Sequence, residues 1–285
     1  MTQITQGAVV VTGASTGIGA ACAVRLDQLG FQVFAGVRTN ADAQALQAKA
    51  SPKLTPIFLD VTDLDSITAA MQKVAIAVGN SGLIGLVNNA GIAVGAPLEF
   101  IPITEFRKQL EVNVTGQLAV TQAFLPLLRL AKGRIVNMGS ITGRSATPFL
   151  GAYSASKFAL EALTDALRLE LRPWGIWVAI IEPGAISTPI WQKSLSQADT
   201  LQQSLPQPAH ELYGQPMKTA SLGAATLAQK GISPDKVAQA VVHALTAKRP
   251  KTRYLVGQDA RIRAMLKFLP DRIVDELTAK AMNLE

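Results

Sequence analysis

The chain has 285 residues, 48% of them hydrophobic and 16% charged, a balance that excludes a disordered or low-complexity protein. A single cysteine, Cys22, excludes an internal disulfide, and with only two histidines it also excludes the usual zinc clusters. Against 20 acidic residues stand 27 Lys and Arg, giving a net charge of +7.

Aromatic residues are only 5% of the chain, so the core must be built from Ala, Val, Leu and Ile. Residues 1–7 carry no basic leader, and the apolar run Ala8–Val11 is too short for a signal peptide. No stretch approaches the roughly 20 apolar residues of a membrane span. The expected address is the cytoplasm. The charge excess gathers in residues 248–285, with nine basic side chains against five acidic ones. Aromatic interleaving and nucleic-acid motifs are absent, so no nucleic-acid partner is expected. A solvated tail helix accounts for the charge. Residues 260–269 are also basic and amphipathic, which leaves reversible membrane contact as a second reading.

Short apolar runs alternate with helical patterns along the chain. Strands are expected at Ala8–Thr12, Gln32–Val37, Leu54–Leu59, Gly85–Asn88, Arg134–Met138, Trp177–Glu182 and Thr252–Val256. They read as continuous apolar runs, the pattern of strands covered on both faces. Helices are expected over Ile18–Leu29, Ala41–Lys49, Leu64–Val78, Thr104–Leu130, Tyr153–Arg172 and Pro234–Ala247, with Pro126 bending or ending the fourth. This alternation predicts an α/β fold with one parallel sheet of about seven strands and right-handed crossovers. Residues 185–232 break the rhythm: they show no clear strand and hold four prolines. So long a segment inside a compact domain predicts a functional lid.

Directly after the first strand comes Thr12-Gly13-Ala14-Ser15-Thr16-Gly17-Ile18-Gly19, opening a helix. Its glycines allow a tight turn and close approach of the backbone to a pyrophosphate, which the helix N-terminus attracts. A purely structural turn is the competing reading. An acid at the end of the second strand, about 20 residues on, would hold the ribose hydroxyls of NAD. Arg38 stands there instead and suits the 2′-phosphate of NADP, so NADP(H) is favoured over NAD(H). Ser15 and Thr16 supply no second basic group inside the turn.

Tyr153 and Lys157 are four residues apart on an expected helix, which places them on one face. Acid–base work by a phenol near neutral pH requires a stabilised phenolate, and a neighbouring ammonium provides one means. Ser140 ends the fifth strand, Asn113 lies in the fourth helix, Asn88-Asn89-Ala90-Gly91 follows the fourth strand and Pro183-Gly184 the sixth. Most of these positions fall at the carboxyl ends of parallel strands, where open α/β sheets bind ligands.

With these motifs in this order and spacing, the sequence resembles the short-chain dehydrogenase/reductase family over nearly its whole length. The C-terminal Lys251-Thr252-Arg253-Tyr254-Leu255-Val256-Gly257 resembles the hydroxysteroid and retinol dehydrogenase-like branch. The resemblance implies a single Rossmann-type, doubly wound domain over 1–285, with the lid at 185–232 and a helical extension over 258–285. It implies Tyr153 as general acid/base, with Lys157 lowering its pKa and binding the nicotinamide ribose. Ser140 would hydrogen-bond the substrate oxygen, and Asn113 would hold a water linking Lys157 to solvent. Gly13, Ser15, Thr16, Gly17, Ile18 and Gly19 would line the phosphates, Arg38 the 2′-phosphate, and Asp60 with Val61 the adenine. Asn89, Ala90 and Gly91 would line the adenosine, and Pro183, Gly184, Ile186 and Thr188 the carboxamide end. A homodimer or homotetramer through the helices of Asn113 and Tyr153 is implied as well.

The lid segment contributes Ile186, Ile190, Trp191, Leu195, Leu201, Leu205, Leu212, Tyr213, Met217 and Leu222, with few acids. It suits a hydrophobic ketone, aldehyde or alcohol, or else is packing of the lid on the domain. Two other functions fit the same motifs. One is a 3-ketoacyl thioester reductase, with Arg144 or Lys193 on a carrier phosphate. The other is a non-catalytic NADP(H) sensor, which would need only the glycine turn and Arg38. Cys22 is expected to pack, and His210 and His243 have no partner visible in the sequence.

Overall fold

The computed structural model describes residues 6–187, 200–282 and 284. Seven parallel strands form one sheet in the order β3-β2-β1-β4-β5-β6-β7. They are β1 Ala8–Val11, β2 Gln32–Val37, β3 Leu54–Phe58, β4 Gly85–Asn88, β5 Arg134–Met138, β6 Trp177–Pro183 and β7 Arg253–Val256. Each lies within about a residue of its expected place. This is the Rossmann-type doubly wound architecture, and strand order reverses beside β1.

The continuous apolar runs divide by alternation. Val9 and Val11 of β1 join a core with Val33, Ala35, Val87, Val136 and Ile181, while Val10 faces the opposite core with Phe34, Leu86 and Ile135. Helix α1 (Gly17–Gln28) covers the first face with Cys22, Ala23 and Leu26. These small side chains let it pack closely on Val237, Ala238 and Val241 of α8 (Pro234–Thr246). Helices α3 (Leu64–Val78) and α5 (Gly116–Ala131) cover the second with Val74, Val120 and Phe124. Burial drives the Cys22 thiol up to about 12, which makes it an inert packing residue.

Helix starts follow local chemistry. Asp63 accepts the Asp65 and Ser66 amides at the start of α3, and Thr39 accepts the Asp42 amide at the start of α2 (Asn40–Gln47). Helix α4 (Ile103–Leu110) runs into α5 through a π-helical stretch, Glu111–Thr115, which widens the helix at Asn113. Pro126 does not end α5, which continues to Ala131.

Two further findings depart from the sequence reading. The expected lid holds a long helix, α7 (Gln207–Lys230), with Pro208 in its first turn and Pro216 inside it. Those prolines hide the helical period. An isolated parallel bridge, Ile186 to Ile232, closes the base of the segment. The basic tail is not one surface helix but two, α9 (Gln258–Leu266) and α10 (Asp271–Met282), separated at Pro270. Among the described residues no helix is long and apolar enough to cross a membrane.

Candidate active site

The glycine turn leaves β1 and the Asn-Asn-Ala-Gly turn leaves β4, neighbours at the strand-order reversal. Thr12 and Asn89 bind the two turns together. The Thr12 hydroxyl accepts the Asn89 and Ala90 amides, both at 2.9 Å, and the Asn89 side-chain amide donates to the carbonyls of Thr12 and Gly13 at 3.0 Å. Gly13 and Gly17 sit at φ +62° and +59°, a region that favours glycine. A Cβ on Gly19 would fall on the Gly13 carbonyl and the Asn89 side chain. Helix α1 opens at Thr16 without a side-chain cap.

Arg38 is exposed just past β2, and its charge acts on Asp60 past β3. Burial raises the Asp60 carboxyl, but two hydrogen bonds from Thr62 and the Arg38 charge outweigh it and leave it below the usual range. Val61 is buried, and its carbonyl lies where a Cβ on Gly116 would sit, so α5 passes close beneath. This bare glycine cradle with an exposed guanidinium near it fits a nicotinamide dinucleotide.

The second half of the site is built around α6 (Gly151–Glu170), which presents Tyr153 and Lys157 on one face. The Lys157 ammonium is 5.6 Å from the centre of the Tyr153 ring and donates to the Met138 carbonyl at 2.7 Å. Ser140, next but one after Met138, accepts from the Thr142 amide and hydroxyl and acts on the Tyr153 phenol. Burial raises the phenol above its usual value, and the Ser140 hydroxyl only partly offsets this. The expected lowering by Lys157 is therefore not a property of these side chains alone. Burial likewise brings the Lys157 ammonium down to about 8, partly countered by Glu161.

Asn113 sits in the π-helical stretch between α4 and α5. Its side chain is buried and engaged with both polar groups of the Ile92 backbone, at 2.9 and 3.0 Å, and with the Ser156 hydroxyl at 3.1 Å. Gln109, one turn earlier, grips the Ile92 carbonyl and the Val94 amide in the same way. The Asn113 side chain thus ties the loop after β4 to α6. Gly91 packs against its oxygen.

At the end of β6, Gly184 donates to the Val256 carbonyl, and the space its Cβ would need is filled by the Asp259 carboxylate. The Ile186 side chain is buried in the core, so only its backbone can face a ligand. Thr188 lies outside the described residues, as do Ile190, Trp191, Lys193 and Leu195. Of the remaining lid residues, Leu205 and Met217 are buried, and Tyr213 meets Phe100 and Phe149 edge-on. Leu212 and Leu222 are exposed.

Sequence reasoning did not find the buried charges behind Lys157. Glu161, Asp165 and Glu182 surround Arg253, and Arg144 pairs with Glu182 at 3.4 Å. Burial, with Glu182 beside it, pushes the Glu161 carboxyl up to about 7, against the pull of the two arginines. Arg144 is thereby engaged with Glu182, with part of its side chain still exposed. His243 has a partner after all, the Tyr254 hydroxyl at 2.9 Å, and His210 lies 3.2 Å from the Leu205 carbonyl.

The family model described as "short chain dehydrogenase" matches residues 7–199. The chain belongs to the short-chain dehydrogenase family. It is 40% identical to retinol dehydrogenase 5 of Mus musculus and 39% identical to 17-beta-hydroxysteroid dehydrogenase type 6 of Bos taurus. These matches cover 94% and 96% of the chain and 86% and 88% of the relatives, which puts this short-chain dehydrogenase in the retinol and hydroxysteroid dehydrogenase-like branch. An NADPH-dependent 3-dehydrocapnine reductase of Ornithobacterium rhinotracheale is 35% identical, over 95% of each chain. Among solved structures, a short-chain dehydrogenase from Burkholderia cenocepacia J2315 in complex with NADP superposes with a TM-score of 0.74, at 25% identity, covering 98% of this chain and 99% of that one. The family uses a nicotinamide cofactor, and the protein is an oxidoreductase acting on CH–OH groups.

Proposed function

We propose that this short-chain dehydrogenase is NADP(H)-dependent and interconverts a hydrophobic ketone or aldehyde with its alcohol, with Tyr153 as the general acid/base. The carrying observation is the convergence of Ser140, Tyr153 and Lys157 at the same end of the sheet as the glycine cradle, with Ser140 acting on the phenol and the Lys157 ammonium near its ring.

When bound, the nicotinamide cofactor would supply or accept the hydride and, when oxidised, would contribute a positive charge. Gly13, Ser15, Thr16, Gly17, Ile18 and Gly19 cradle its phosphates, while Asp60, Val61, Asn89, Ala90 and Gly91 line the adenosine side. Pro183, Gly184, Ile186 and Thr188 would meet the carboxamide end. Ser140 orients the substrate oxygen, and Tyr153 gives it a proton in reduction and takes one in oxidation. Together with the charge of the oxidised cofactor, Lys157 would lower the phenol, and its hydrogen bond to the Met138 carbonyl fixes it there. Asn113 acts as a clamp on the loop after β4.

Arg38 supports the choice of NADP(H), as do the NADP-bound Burkholderia structure and the NADPH-dependent relative. The retinol and steroid dehydrogenase relatives support an apolar substrate. So does the docking of α7, where the Tyr213 hydroxyl donates to Glu99 at 2.7 Å beside Phe100 and Phe149. Residues 185–232 then form the lid of one NADP-binding domain spanning 1–285, assembled as a homodimer or homotetramer.

The test is consumption of NADPH, against NADH, with a panel of hydrophobic ketones and aldehydes. Tyr153→Phe should lower turnover by about 10²–10⁴-fold while leaving NADPH binding intact. Arg38→Gln should erode the preference for NADPH over NADH by about tenfold, the scale of a charged hydrogen bond at an exposed site. Turnover that survives Tyr153→Phe would refute the mechanism. Normal NADPH binding with no turnover on any carbonyl would favour a sensor.

A further inference from the structure

Helix α9 lies beyond the residues matched by the family model, yet its inner face reaches both loops of the site. At its first turn, Asp259 accepts the Ala185 amide at 2.7 Å, and its carboxylate occupies the space beside Gly184. Gly257, at φ +113°, makes the turn from β7 that aims it there, since a Cβ would press on the same carboxylate. One turn later Arg263 extends the other way. One of its guanidinium nitrogens donates to the Ser145 carbonyl and to the Thr147 hydroxyl, each at 2.8 Å.

Residues 145–147 belong to the loop between Ser140 and Tyr153. Thr147 leads directly into α6: its carbonyl accepts the Leu150 amide, and its own amide donates to the Ser154 hydroxyl. Between them Phe149 is held in the left-handed region at φ 64°, a strained conformation for a side chain of its size. Ala260 and Ala264, on the same face of α9, pack on Ile141, the neighbour of Ser140.

We propose that α9 braces the active site, with Asp259 and Arg263 as positioning residues: Asp259 sets the loop after β6, and Arg263 sets the loop that joins Ser140 to Tyr153. A helix that merely covered core would bury large apolar side chains. This one buries two alanines and directs its two inward charges to the two loops. The inference rests on the proposed function only in assigning the first loop to the cofactor and the second to the proton transfer.

Amide exchange on the full chain reads the brace without activity. Asp259→Ala should speed exchange at residues 184–187, and Arg263→Met at 141–150, with the central strands unchanged. The functional signatures should then separate. Asp259→Ala should raise the Kd for NADPH by about tenfold, read by cofactor fluorescence. Arg263→Met should instead lower kcat on the order of tenfold to a hundredfold with that Kd nearly unchanged, because it displaces the reacting groups.

Asp259→Asn and Arg263→Lys, which keep an acceptor and a donor, should recover part of each loss. They also carry the test if the larger changes prevent folding. Unchanged exchange in both loops, or equal acceleration across the whole sheet, would overturn the brace. If the wild type binds NADPH but reduces no carbonyl, the proposed reaction fails while exchange and titration still decide the role of α9.

Discussion

At the glycine turn the restraints are neutral side-chain hydrogen bonds to the backbone and glycine conformations, whereas behind Tyr153 and Lys157 they are buried and half-buried charges. The first end draws on two neighbouring turns, joined by neutral bonds of Thr12 and Asn89. The second collects Lys157 and Glu161 from α6, Glu182 from β6, Arg253 from β7 and Arg144 from the loop after Ser140. A cradle for a polyanion needs fixed amides and an absence of side chains. A proton-transfer site needs tunable charge, and tuning requires burial. The two ends should therefore respond to different perturbations.

The largest effect is expected at the charged end. Lys157→Met removes the cation beside the phenol and strands the Met138 carbonyl, and should lower kcat by about 10²–10⁴-fold. Steady-state kinetics combined with NADPH titration would check it. A loss confined to cofactor affinity would show that the two ends are not separable in this way.

Gly19→Ala attacks the other end. The added methyl falls on the Gly13 carbonyl, a backbone atom that cannot move aside cheaply. An overpacking cost of about 1–3 kcal/mol corresponds to roughly 5–150-fold weaker NADPH binding, with kcat at saturating cofactor nearly preserved. Fluorescence titration beside saturation kinetics would reveal it.

The subtlest prediction concerns pH. In reduction, turnover should fall as pH rises through about 8, where Lys157 loses its proton. The Glu161 charge holds that proton on, so Glu161→Gln should move this limb to lower pH. The same substitution changes stability with a definite sign. The folded Glu161 carboxyl stands at about 7, above its ordinary 4.5, so the folded state binds the extra proton between these values. Its contribution is fully present below 4.5 and is lost as pH climbs through about 7. Denaturant titrations from pH 4 to 8 should show a slope that flattens in Glu161→Gln. An unchanged rate limb and an unchanged slope together would remove Glu161 from the tuning of this site.

Much of the architecture was legible because its signals are local. Strands buried on both faces read as apolar runs, the glycine turn sits between a strand and a helix, and Tyr153 and Lys157 lie one helical turn apart. The long helix α7 was obscured by Pro208 and Pro216, each tolerable where it stands but disruptive to the period. The basic tail read as a surface helix because sequence does not reveal that Arg263 turns inward to Ser145 and Thr147. Asn113 was found by its place in a motif, yet its contacts to Ile92 and Ser156 needed the π-helical turn and the approach of α6.

The sequence by itself determined the α/β alternation, the family, and the motif residues proposed to meet a cofactor and hold a proton, since these follow from periodicity and from short motifs of fixed chemistry. Only the tertiary structure decided which charges stand behind Lys157 and which helix holds the active-site loops. Arg253 lies 92 residues from Glu161, and Arg263 lies 118 from Ser145. Their partners are set by strand order and helix packing, which no local pattern records, and burial then fixes how strongly each charge acts.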